Sequence, residues 1–115
     1  MSTEAEVASF LNIFKEKMKF WNVLFRDDRG KNAQALIDLE LRPIDRVAVL
    51  ETIETKDYSE GPLEEKWYGG ADMWVFGKTV KKKEVYIKIT MGATDSSVIC
   101  ISFHLSQHKM KYPLK

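Results

Sequence analysis

A chain of 115 residues with 44% hydrophobic and 11% aromatic residues has the material for one hydrophobic core, at the usual scale of about 100–150 residues, and is not a disordered linker. The net charge of +1 hides an asymmetry: residues 1–77 carry 10 Lys and Arg against 15 Asp and Glu, whereas residues 78–115 carry 8 against 2. Clustered cations raise the local potential, so the basic last third points to an anionic partner, or else to a solvated lysine-rich hairpin.

In chain order, Val7, Phe10, Leu11, Phe14 and Met18 follow the spacing of one helix face, and Ser2 or Thr3 is placed to cap a helix over residues 4–20. The aromatic and β-branched run Phe20–Phe25 reads as a short strand, and the charged run Arg26–Asn32, containing Gly30, as a loop. Ala33, Leu36, Ile37 and Leu41 predict a second helix that Pro43 ends. Pro43 in turn suits the first turn of a third, whose Ile44, Val47, Leu50 and Ile53 repeat at three. Residues about 55–71 show no periodicity and read as one long loop, a length that in compact domains tends to mark function or mobility. Three β-rich runs follow, Met73–Phe76, Glu84–Thr90 and Val98–His104, with connections short enough for an antiparallel meander. The expected architecture is a single α+β domain over residues 1–115, with N-terminal helices packed on a small antiparallel sheet.

Several features argue for a cytoplasmic protein without a membrane segment. Cys100 is the one cysteine, so no internal disulfide is possible, and it lies in an apolar run as a small hydrophobe. The start, Met1–Glu6, is polar and acidic rather than basic and then apolar, as a signal peptide would be. No apolar run approaches the roughly 18 residues of a membrane span.

Alternation along the last two strands sorts their side chains. Val85, Ile87 and Ile89 share one side of the first, and Ile99, Ile101 and Phe103 one side of the second. With those sides against the helices, Tyr86, Lys88, Ser102 and His104 fall together on the open face, while Cys100 is expected on the polar side of its strand. An imidazole, a phenol and an ammonium on one surface suffice for metal-free RNA cleavage. A base takes the 2′-hydroxyl proton, the oxygen attacks phosphorus, cations hold the added charge and an acid protonates the leaving oxygen. His104, Tyr86 and Lys88 are the candidate centre, with His108 a weaker one. Lys78, Lys81, Lys82 and Lys83 in the hairpin, with Arg26, Arg29 and Lys31, are candidate phosphate contacts, or else solvated surface charge. Two histidines and one cysteine form no metal-ligand motif, and the glycines form no phosphate-cradling loop, so neither metal nor nucleotide cofactor is expected.

The strands EVYIKIT (Glu84–Thr90) and ICISFH (Ile99–His104), behind Asp57-Tyr58 and Met73-Trp74-Val75-Phe76-Gly77-Lys78, resemble those of MqsR-type toxins of bacterial toxin–antitoxin systems, over about residues 5–105. The resemblance implies a RelE-like fold and an mRNA interferase. It also implies a cognate antitoxin with a zinc-binding N-terminal module and a DNA-binding C-terminal domain. Tyr86 matches a tyrosine proposed as catalytic in that family. His104 stands where the family has a lysine, Ser59-Glu60 where it has another, and Val75 where it has a glutamine. The expected function is therefore a toxin acting as a metal-independent endoribonuclease. The alternative is a non-catalytic RNA-binding or protein-interaction module of the same fold. The tail from Leu105 to Lys115 extends past the family's end, with Lys109, Lys111, Tyr112 and Pro113 either lining an RNA path or packing on the sheet.

Overall fold

The computed structural model of the chain describes residues 1–64 and 70–115, so residues 65–69 of the segment read as a long loop lie outside the described residues. Thr3 starts the first helix: its hydroxyl accepts the Glu6 amide at 3.2 Å, and the Glu6 carboxylate accepts the Thr3 amide at 2.9 Å. This reciprocal cap satisfies two amides that the first turn leaves open. Helix α1, Glu4–Phe20, buries Val7, Phe10, Leu11 and Phe14, the stripe its spacing predicts. Each such side chain contributes about 1.5–3 kcal/mol when removed from water.

The short run after α1 forms a strand only at Leu24–Phe25 (β1). Helix α2 spans Gly30–Asp38 and α3 spans Asp45–Glu51, followed by a single 3-10 turn at Thr55–Asp57. Helix α2 buries a face other than the expected one, whereas α3 buries the expected Leu50, with Ile53 just beyond it, and adds Arg46 to them. In α2 the inward residues are Asn32 and Ala35, with Leu39 just beyond, while Ile37 is 71% exposed. In α3 they are Arg46 and Leu50, and Ile44 is left exposed before it. A polar residue occupies the buried face each time, which an apolar pattern cannot register.

The remaining strands are β2 (Tyr58–Leu63), β3 (Met73–Val80), β4 (Lys83–Thr90) and β5 (Ile99–Leu105). They form a mixed five-stranded sheet in the order β1-β5-β4-β3-β2. The three antiparallel strands expected from sequence are its centre. Two flanking strands extend it, β1 parallel to β5 and β2 antiparallel to β3, so the expected loop begins as a strand. Pro62 is compatible with β2 because β2 is an edge, where a missing amide costs the ladder nothing. The hairpin between β3 and β4 is also tighter than expected. Val80 pairs with Lys83, and Lys81 and Lys82, both at positive φ, make a two-residue turn.

One irregularity decides which β5 side chains face the helices. Lys88 pairs with Ser102 and Ile89 with Cys100, so Ile101 is an extra residue in β5, a bulge that resets the alternation. Cys100 accordingly joins Phe103 in the core cluster with Ile87, Ile89 and Phe14, correcting the expectation that it shares the polar side. Its Sγ donates to the Ser102 carbonyl at 3.4 Å, and burial pushes the thiol pKa up to about 12.

Asn32 completes the sheet where β1 runs out. Its Nδ2 donates to the Ile101 and Arg26 carbonyls, and its Oδ1 accepts the Phe103 amide, all at 2.9 Å. One side chain thus serves the β5 backbone groups that a longer β1 would have served. Arg46 secures the same corner, forking onto Asp27 at 2.6 and 2.9 Å, donating to the Pro43 carbonyl at 3.0 Å and lying 3.9 Å over the Phe25 ring. Among the described residues, no helix is long and apolar enough to cross a membrane.

Candidate functional site

Helices cover one face of the sheet, and the register fixes what lies on the other. Glu60, Val75, Lys88 and Ser102 pair in sequence across β2, β3, β4 and β5, and Gly77, Tyr86 and His104 do so across β3, β4 and β5. The two rows bring together the four open-face residues expected from alternation and add Glu60, which sequence reasoning left in a loop. Tyr86, Lys88, Ser102 and His104 all line a cleft of about 500 Å³.

The tail makes the other wall of that cleft. After Leu105 the chain turns back, with the Ser106 hydroxyl donating to the His108 carbonyl. Met110 N–H and the Tyr112 hydroxyl then donate to the two oxygens of Glu84, at 3.2 and 2.7 Å. Tyr112 lies directly over Gly77, where any side chain would collide with its ring. Burial and the Glu84 carboxylate hold the Tyr112 phenol well above its ordinary pKa, so it remains a donor. The tail therefore both packs on the sheet, at Tyr112, and lines a cleft, through His108, Lys109 and Lys111.

Within the cleft the Tyr86 and His104 rings stack at 5.2 Å between centroids and 12° between planes, and Lys88 Nζ lies 5.8 Å from the Tyr86 centroid. His104 Nδ1 is 3.0 Å from the Leu105 carbonyl oxygen. A carbonyl can only accept, so Nδ1 carries a proton and Nε2 is left as the nitrogen able to exchange one. Burial raises the Tyr86 pKa, helped by the Glu60 charge and opposed by Arg29, so the side chain is a neutral phenol at pH 7. Burial and then Arg29 lower the Lys88 pKa, and Glu60 works against them. The floor is thus a phenol, an imidazole and an ammonium in mutual reach, with one carboxylate close enough to be felt by two of them.

The candidate phosphate contacts are not all in this cleft. Arg29 and Lys31 line it. Arg26 forks onto Asp28 at 2.8 and 3.0 Å. Lys78 pairs with Val85 on the helix side of the sheet, where its Nζ meets Asp57 at 2.9 Å and the Thr52 carbonyl at 3.0 Å. Lys81, Lys82 and Lys83 occupy the exposed hairpin end, and Lys81 donates to the Glu40 carbonyl at 3.0 Å. The basic wall comes instead from the residues around the start of α2 and from the tail. Among the described residues, no three His, Cys, Asp or Glu side chains converge to hold a metal ion. Set against known proteins, the chain matches no family model, no curated protein and no solved structure.

Proposed function

We propose that this protein is a metal-independent endoribonuclease that cleaves mRNA, and that it is the toxin of a toxin–antitoxin pair. The observation that carries the nuclease reading is the stacked Tyr86–His104 pair beside Lys88 on the floor of a cationic cleft. His104 Nε2 exchanges a proton with a ribose oxygen at the scissile phosphate. The neutral Tyr86 hydroxyl donates to a phosphoryl oxygen, and Lys88 stabilises the negative charge that builds as phosphorus becomes five-coordinate. Arg29 and Lys31 hold the flanking phosphates of a single strand, which the open, one-sided cleft admits. The toxin reading is supported by the likeness of the Glu84–Thr90 and Ile99–His104 strands to those of MqsR-type toxins. A zinc-binding, DNA-binding antitoxin is the partner that likeness proposes, and mRNA the substrate.

The test is cleavage of an end-labelled RNA by purified protein with EDTA present. Wild type is expected to leave 2′,3′-cyclic phosphate and 5′-hydroxyl ends. His104→Ala should lose about 10²–10⁴-fold in rate, the usual worth of a positioned proton carrier, and Tyr86→Phe about tenfold, both with unchanged circular dichroism. RNA that binds but is never cut would instead assign the cleft to a non-catalytic module.

A further inference from the structure

Transesterification of RNA needs two proton carriers on opposite sides of the phosphorus, and His104 supplies one. We propose that Glu60 is the other, acting as the general base while His104 is the general acid, an assignment that rests on the ribonuclease reading above. Among the described residues lining the cleft, Glu60 is the one carboxylate. Its position is set by the sheet: Glu60 pairs with Val75, which pairs with Lys88, so the carboxylate enters the cleft from β2 while His104 enters from β5. Three strand spacings, about 14 Å between backbones, separate those strands. Glu60 and His104 line the same cleft from its two flanking strands, with Tyr86 and Lys88 on the strand between. In-line displacement needs a proton carrier on each side of the phosphorus, and the two flanks offer one each.

The other groups fit this division of labour. The Tyr86 phenol keeps its proton because burial raises its pKa, so it is a donor and not a base. Lys88 lies between the flanks, beneath the charge that develops. Arg29 from the loop before α2 and Lys111 from the tail line the same cleft as Glu60, and Met1 lines an adjoining pocket with it. In the step, the Glu60 carboxylate takes the 2′-hydroxyl proton as O2′ bonds to phosphorus. The P–O5′ bond breaks, and the His104 imidazolium gives its Nε2 proton to O5′. The products are a 2′,3′-cyclic phosphate and a free 5′-hydroxyl, and solvent returns the proton from Glu60 to His104.

His108 is the competing base, but it stands on the tail rather than on a strand, and rigid elements position reacting groups more accurately. The experiment is the pH dependence of single-turnover RNA cleavage in EDTA by the full chain, comparing wild type, Glu60→Gln, Glu60→Asp, His104→Gln and His108→Gln. Glu60→Gln should lose about 10²–10³-fold and the acid limb of the profile, with its melting temperature unchanged. Glu60→Asp, keeping the carboxylate one methylene short, should retain that limb at a reduced rate. If Glu60→Gln cuts within about threefold of wild type while His104→Gln fails, the ribonuclease reading stands and this assignment falls. Loss confined to His108→Gln would move the base to the tail. Wild type that cuts no RNA would overturn both readings.

Discussion

Arg46 is 1% exposed, and its neutralising partner Asp27 is half open to solvent. Breaking such a pair from the carboxylate side leaves a buried guanidinium without its counter-charge. That costs about 3–5 kcal/mol in an enclosed site, and roughly 2–3 kcal/mol is expected here because water reaches the Asp27 side. Asp27→Asn should therefore lower the urea midpoint by an amount equivalent to that loss. The Arg46 hydrogen bonds hold the Asp27 pKa below the ordinary carboxylate value. A depressed folded-state pKa contributes stability that is complete above the unfolded value and disappears as pH falls through the folded one. The gap between wild type and Asp27→Asn should be full at neutral pH and shrink in strongly acid solution. Neither Arg46 nor Asn32 could be recognised as a buried residue from its sequence neighbours, since both stand where an apolar residue would mark a helix's inner face.

At the scale of elements, the sheet depends on a side chain for part of its ladder. Asn32→Leu keeps the volume in α2 but strands the Arg26 and Ile101 carbonyls and the Phe103 amide. Unsatisfied buried backbone groups cost about 1–3 kcal/mol each, and some will find water, so a total loss of roughly 3 kcal/mol is expected. Hydrogen exchange should show it first at Phe103, before any change in β3. The elements read most directly from sequence were those with a single clear period, such as α1 and the alternating strand β4. Two others misled for physical reasons. Val98 to Ile101 is apolar in both phases, so the bulge at Ile101 leaves no trace in the pattern, and Cys100 changes sides unannounced. Strand β2 contains Gly61 and Pro62, which signal a loop anywhere except at a sheet edge. Missing that edge strand is why Glu60 was not placed on the cleft, although Tyr86, Lys88, Ser102 and His104 were grouped there from alternation alone.

For the molecule as a whole, position decides what each cation does. Of the basic residues singled out from the sequence, Arg29 and Lys31 line the cleft, whereas Lys78 is held by Asp57 and the hairpin lysines lie away from it. Arg29→Ala and Lys31→Ala should each weaken single-stranded RNA binding and flatten the slope of log affinity against log salt by about 0.7, one released counterion apiece. Lys78→Ala should leave that slope alone and instead lower thermal stability, because it strips Asp57 of its partner in a largely enclosed site. Titrating binding at four or five salt concentrations separates the two classes, and equal slopes for all three variants would refute the division.

The thiol of Cys100 has a separate use. It is 1% exposed, sits between β1 and β4, and has its ionisation suppressed by the core around it. A thiol reagent can reach it only when the core around β5 opens, by the helices lifting from it or by the strand parting from its neighbours, so the rate of labelling is a clock for that opening. Under conditions where closing outruns the chemistry, the labelling rate relative to a free thiol gives the fraction of molecules open at any moment. Comparing that fraction with and without a bound single strand would tell whether occupation of the cleft stiffens the strand that carries His104.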